Sequence, residues 1–175
     1  MNKLTLVSAI LASSMMTPAI ADDHGMKLED INKAQQSWAK AIVEIGQAKI
    51  DGKDYESVAK QKVSQLYDFD DGTVLFKPTK AAEDQFRNSY DEAISYFVGG
   101  MVSEDTGFAL QPWTNVRFEN EDVALKTDYA VAMGNYYFTD QAGKEVKVEY
   151  TFGYTLAEDG SIKIDLHHSS LPYQP

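Results

Sequence analysis

Three histidines, no cysteine, and a pair of serines beside two of those histidines set the chemistry open to this chain of 175 residues. The histidines are His24, His167 and His168, and the run His167-His168-Ser169-Ser170 lies near the C-terminus. An imidazole, with an ordinary pKa of ~6.5, can exchange a proton near neutrality, and a neighbouring hydroxyl can orient water or hold an anion. Without cysteine there is no thiolate to act as nucleophile or metal ligand. Adjacent side chains of a regular strand point to opposite faces, so His167 and His168 cannot both ligate one ion, and a zinc site with three protein ligands is hard to assemble. The chemistry must rest on oxygen and nitrogen groups, and on the residues alone a metal held weakly through carboxylates stays open.

The elements that must position these groups read as helices first and a sheet afterwards. Apolar residues at Leu28, Ile31, Trp38, Ala41, Ile42 and Ile45 have helical spacing, and Asp51-Gly52 ends the run. Tyr55, Val58, Ala59 and Leu66 continue as a shorter helix. Thr73–Phe76 reads as a short strand closed by Pro78, and Thr79 through about Phe97 as a third helix with Thr79 near its start, where a threonine commonly caps. Past Gly107 the period becomes two. Val116–Glu119, Val123–Leu125, Ala130–Phe138, Val146–Leu156 and Ile162–Leu166 are strand-like, separated by turn signals at Asn120-Glu121-Asp122, Asp140–Gly143 and Asp159-Gly160. The expected fold class is α+β, N-terminal helices packed on a curved antiparallel sheet with an internal pocket.

In the last strand Ile162, Ile164 and Leu166 alternate with Lys163 and Asp165. Extending that alternation puts His168 and Ser170 on the core face and His167 and Ser169 outside, with the two inward residues ~7 Å apart. On the preceding hairpin Tyr150, Phe152 and Tyr154 share a side, as do Val131, Met133, Asn135 and Tyr137, so phenols would line the same pocket. Thr106, Trp113 and Arg117, in the link into the sheet, are further pocket candidates, with Phe108 and Trp113 read as wall.

Composition narrows the partners. Acidic residues outnumber basic ones 27 to 16, a net charge of −11 that opposes binding to a phosphate backbone. Lys3, the apolar stretch Leu4–Met16 and the small-x-small site Ala19-Ile20-Ala21 read as a secretory signal peptide over residues 1–21. The mature protein would then be one domain, residues 22–175, periplasmic or secreted, with no membrane span.

His167-His168-Ser169-Ser170-Leu171-Pro172, together with Val148-Glu149-Tyr150-Thr151-Phe152-Gly153-Tyr154, Phe76-Lys77-Pro78-Thr79 and Ser95-Tyr96-Phe97-Val98-Gly99-Gly100, resembles the iota-class carbonic anhydrases, from about Trp38 to Tyr173. That family lies in the nuclear-transport-factor-2-like superfamily, close to calcium/calmodulin-dependent kinase II association domains. The resemblance implies an α+β cone, a homodimer formed through the sheet, and reversible hydration of carbon dioxide to bicarbonate without a resident metal. Its site of Thr, Tyr, His and Ser would fall on Thr79, Tyr96, His168 and Ser170.

Such a site must activate water unaided. A free imidazole of pKa ~6.5 facing water at ~15.7 is ~9 units short, about 12.5 kcal/mol, so free hydroxide is no intermediate. Concerted attack is expected instead, with Tyr96 and Thr79 orienting water, His168 or a relay through it taking the proton, and Ser170 holding the developing bicarbonate. Two alternatives stay open on the residues alone. An isomerase or dehydratase of this fold would need an inward carboxylate, a case weakened because Asp165 is expected to face outward and Asp128 is the only other strand acid near the aromatics, and a non-catalytic binding or association domain would need none.

Overall fold

The computed structural model describes residues 25–70 and 72–175, so the proposed leader and His24 lie outside the described residues. Helix α1, Leu28–Ile50, turns Ile31, Gln35, Trp38, Ile42 and Ile45 inward. Helix α2, Tyr55–Leu66, is capped by Asp54, whose carboxylate accepts from Ser57 N–H, and buries Ala59 and Val63. Strand β1 is the short Leu75–Lys77.

The third helix begins much later than its apolar spacing suggests. Helix α3 is only Tyr90–Val98, and Ser89 starts it with a capping box in which Ser89 and Glu92 exchange side-chain and backbone hydrogen bonds. Residues 79–88 are irregular because their backbone is satisfied from elsewhere. Glu104 accepts the N–H groups of Ala82, Glu83 and Asp84 at 2.9, 3.2 and 3.0 Å. Arg87 is fully buried and donates to both carboxylate oxygens of Asp105, at 2.8 and 3.1 Å. The helix is therefore replaced by a loop pinned through its charged groups, and Phe86, expected in the helical stripe, is half exposed.

A 3₁₀ turn at Phe108–Leu110 leads into strands β2 (Asn115–Leu125), β3 (Tyr129–Thr139), β4 (Glu145–Leu156) and β5 (Ile162–Ser170). The sheet order is β1-β5-β4-β3-β2, with β1 parallel to β5 and the remaining pairs antiparallel. Asn120-Glu121-Asp122 is a bulge inside β2 and not a turn between two strands. Its partner Gly134 lies so close that an added Cβ would strike the Glu119 carbonyl.

The inner face holds Ala130, Ala132, Tyr136 and Phe138 of β3 against Val148, Tyr150, Phe152 and Tyr154 of β4. Val131, Met133, Asn135 and Tyr137 face outward, the reverse of the expected side. Both alternating sets of β3 are apolar enough to face a core. Cross-strand fit decides, since Ala132 sits opposite Phe152 and Ala130 opposite Tyr154, small against large. Trp38 reaches from α1 into this wall, its ring 5.6 Å from those of Tyr136 and Phe152 and 5.5 Å from His167.

Candidate active site

A single extra residue decides which His-x-Ser pair enters the protein. Along the β4–β5 ladder Gly153 is opposite Leu166, and the next pair is Tyr154 with Ile164, so Asp165 is a bulge without a partner. The stretch from Ile164 to the next inward side chain is three residues instead of two, and every later residue changes face. His167 and Ser169 are each 2% exposed, whereas His168 is exposed and Ser170 only partly covered. The expected inward facing of His168 and Ser170 is thus reversed. The signal lay in Gly153, a glycine within a strand, where an added Cβ would come within 2.5 Å of both the Asp165 carboxylate and the Tyr129 hydroxyl.

Around His167 and Ser169 polar groups gather from distant stretches. Thr79, at the head of the pinned loop, donates its hydroxyl to Ser169 Oγ at 2.9 Å. It caps no helix, since α3 starts at Tyr90 with Ser89 as its cap. Tyr96 rises from α3, and its hydroxyl accepts from Lys80 N–H at 3.4 Å. Burial pushes the Tyr96 phenol well above its ordinary value, and the Thr79 hydroxyl opposes the shift. Burial does the same to Tyr136, against the opposing pull of Ser169 and Thr79. Both phenols stay protonated at neutral pH and are available as donors. Tyr136 escaped the sequence reading because β3 was given the wrong face.

His167 is enclosed by rings. Phe76 stacks on it at 4.4 Å between centroids, and Phe152 lies at 4.1 Å. Its Nδ1 is 2.8 Å from the hydroxyl of Tyr67, which accepts from Trp38 Nε1–H at 2.8 Å. Burial, reinforced by His168, holds the His167 imidazole well below its usual pKa, so the ring is neutral. Its Nε2 is buried without a hydrogen-bond partner. An orphaned buried nitrogen is costly in a native interior, and here it shares a strand face with Ser169.

Other candidates fall outside this cluster. Trp113 packs on Phe108 and Phe138 and donates to the Phe108 carbonyl, which makes it wall. Arg117 lies over the outward Tyr137 ring and pairs with Glu119 and Glu145. Thr106 is exposed. Asp165, the acid an isomerase would have needed, sits beside Tyr129 and Leu166 on the outer side of the sheet. His168 and Ser170 line a shallow outer groove with Met133, Asn135, Glu149 and Thr151. Among the described residues no group of three or more His, Asp or Glu side chains is placed to hold a metal ion.

Comparison with known proteins accords with this fold. A solved cyanobacterial structure, described as an iota-carbonic anhydrase complexed with bicarbonate, superposes with a TM-score of 0.83 at 32% identity, covering 92% of this chain and all of that one. A putative dehydratase of the NTF2-like family from Streptomyces avermitilis, at 16% identity and a TM-score of 0.52, covers 84% of this chain and 96% of its own and shares the fold alone. A relative from Nostoc sp., named a metal-independent carbonic anhydrase, is 34% identical over 168 residues, 93% of this chain and 80% of the relative. The family model for metal-independent carbonic anhydrases matches residues 29–171. With that match spanning nearly every described element, and the α+β fold agreeing with the resemblance, the chain belongs to the metal-independent carbonic anhydrases.

Proposed function

We propose that this chain hydrates carbon dioxide reversibly to bicarbonate in the enclosed cluster formed by Thr79, Tyr96, His167 and Ser169. The observation that carries the reading is that hydroxyls from a loop and a strand meet at Thr79 and Ser169, with the Tyr96 hydroxyl on the neighbouring Lys80 N–H, on the strand face that also carries an unpaired, buried imidazole nitrogen. A linear three-atom substrate needs no wide cleft. It needs a small polar niche in an apolar wall, which also favours an uncharged molecule over its hydrated product.

In the hydration direction a water oxygen attacks the carbon, one C–O bond forms, and the π electrons of a C=O bond move onto oxygen. No neutral side chain here can strip the water beforehand, because the gap from imidazole to water is ~9 pKa units. The proton leaves as the bond forms. The Thr79→Ser169 hydrogen bond gives it a directed path: water to Thr79 Oγ1, Thr79 to Ser169 Oγ, and Ser169 to the substrate oxygen. The product is carbonic acid, which ionises to bicarbonate and a proton on release. Tyr96, kept protonated by burial, donates to the oxygen that gathers charge. A positioned proton path contributes ~10²–10⁴ and one well-aimed donor ~10²–10³, enough together for useful catalysis.

Stopped-flow hydration by residues 22–175, after exhaustive chelation, tests this directly. The expected result is activity in the wild type and a large loss in Thr79→Val and Ser169→Ala. Full activity in folded forms of both variants would remove the cluster from the reaction.

The outer face of the sheet, with Met133 56% exposed above the groove holding His168 and Ser170, supports assembly of a homodimer through that surface. Light scattering of the wild type and Met133→Lys checks it, a dimer giving way to a monomer. The leader-like sequence ending at Ala21 supports a periplasmic or secreted location, which mass spectrometry of the mature N-terminus at Asp22 would verify.

A further inference from the structure

The Tyr67 hydroxyl is the hinge between two nitrogens of different character. It lies 2.8 Å from Trp38 Nε1 and 2.8 Å from His167 Nδ1, and all three side chains are buried to within 2% of full enclosure. An indole N–H only donates, so the bond from Trp38 fixes one lone pair of the Tyr67 oxygen as acceptor. The phenol has a single proton. Burial raises its pKa well above the ordinary value, so that proton stays on. A buried O–H must find an acceptor, and the one in reach on the far side of Tyr67 is His167 Nδ1. Were Nδ1 to carry a hydrogen, two N–H groups would converge on one oxygen and the phenolic proton would be left without a partner.

We infer that Trp38 and Tyr67 are positioning residues that lock His167 in its Nε2–H tautomer, so that it presents a neutral N–H donor, and not a basic nitrogen, to the carbon dioxide site. The inference rests on the reading of the Thr79/Tyr96/His167/Ser169 cluster as that site and assigns the ring a role within it. The unpaired Nε2 then becomes a second donor, with Tyr96, for the oxygen that gathers charge during attack, and a hold on bicarbonate in the reverse direction. The proton travels through the hydroxyls alone. A fixed N–H in a dry aromatic shell needs no reorganisation during the reaction, whereas a ring free to exchange tautomers would spend part of its time presenting a bare lone pair to a developing oxyanion.

The position of Tyr67 follows from the sheet bulge. The residue terminates α2, pairs with Ile164 in an isolated parallel bridge, and is followed by Asp68, whose N–H donates to the Ile164 carbonyl at 3.0 Å. The chain is thereby stitched to β5 at the point where the bulge turns His167 inward.

The test is long-range proton–nitrogen correlation on histidine-labelled protein at neutral pH, with His24→Gln and His168→Gln to assign the three rings. The wild type is expected to show His167 Nε2 as the protonated, pyrrole-type nitrogen and Nδ1 as the bare one. This measurement needs no perturbed protein to fold. In Tyr67→Phe the donor to Nδ1 disappears, and the expected outcome is a mixed or inverted tautomer, with kcat lowered about tenfold or more and KM nearly unchanged. A protonated Nδ1 in the wild type, or a folded Tyr67→Phe protein with tautomer and kcat unaltered, overturns the inference. The two readings fail separately. Full activity in Thr79→Val and Ser169→Ala would remove the site while leaving the tautomer as observed, and the wrong tautomer would leave those losses in place.

Discussion

On β5 the same two side chains occur twice within four residues. His167 and Ser169 face the helices, where Phe76, Phe152 and Trp38 pack around the imidazole and the Ser169 hydroxyl accepts from Thr79. His168 and Ser170 face away, where the serine hydroxyl reaches Glu149 at 3.3 Å and the imidazole is exposed on the surface of the single chain. Chemical identity is equal on the two faces and environment is opposite. Burial keeps His167 neutral and leaves its Nε2 in need of a partner. Reactivity here belongs to the surroundings that the strand register selects, not to the residue type.

Breaking that comparison at its centre should produce the largest effect. His167→Ala is expected to lower hydration kcat/KM by about 10²–10³, the range for one well-placed donor, while His168→Ala leaves it near the wild-type value in the same stopped-flow assay. Equal losses from the two would erase the distinction between the faces.

Next comes the relay pair. Ser169→Ala and Thr79→Val should each cost about 10², and the double variant little more than either alone, because both act through one 2.9 Å hydrogen bond. Ser170→Ala should change little. Multiplicative losses in the double variant would mean that the hydroxyls act independently.

A smaller effect, on stability, should follow from closing the space at the bulge. Gly153→Ala places a methyl within 2.8 Å of Leu166 Cβ and 2.5 Å of the Asp165 carboxylate and Tyr129 hydroxyl. Chemical denaturation should show a loss of about 1–3 kcal/mol, the cost of overpacking. An unchanged midpoint would mean that the bulge yields freely.

The most gradual effect is pH-dependent. His167 has a folded-state pKa below its unfolded value, so the unfolded chain binds the extra proton. Stability is undiminished above the unfolded pKa of ~6.5 and falls as pH drops below it, at up to about 1.4 kcal/mol per unit for this one group. Denaturant melts between pH 7 and 5 should show that decline, and His167→Gln should flatten it. Below that window the carboxylates of Glu44 and Glu104, held under their ordinary values by Lys62 and by backbone N–H groups respectively, add their own losses.

Much of this architecture was legible because it is written in periodicity. The apolar spacing from Leu28 and from Tyr55 gave two helices with their ends, and the alternation beyond Gly107 gave the β3, β4 and β5 runs. What escaped depends on contacts between distant residues. The loop at residues 79–88 has helical apolar spacing, yet Glu104 and Asp105 claim its backbone and its arginine, and only Ser89 with Glu92 marked the true helix start. Thr79 and Tyr96 came from family resemblance, not from spacing. The facing of the last strand was lost to one unpaired residue, since a bulge requires knowing the partner strand. Tyr67 carried no local signal at all: it ends a helix 100 positions before the imidazole it touches.

The doubled motif on β5 also bears on how this sheet tolerates errors of register. Slip of a strand by one residue ordinarily exchanges a working side chain for an unrelated one. Here the neighbour one step along repeats the pattern, so a one-residue shift after Ile164 would withdraw His167 and Ser169 and deliver His168 and Ser170 to the same two stations. Parity, fatal to most strand-borne sites, becomes nearly degenerate at this one, and an insertion or deletion beside Asp165 meets a spare copy where other sheets would meet a gap.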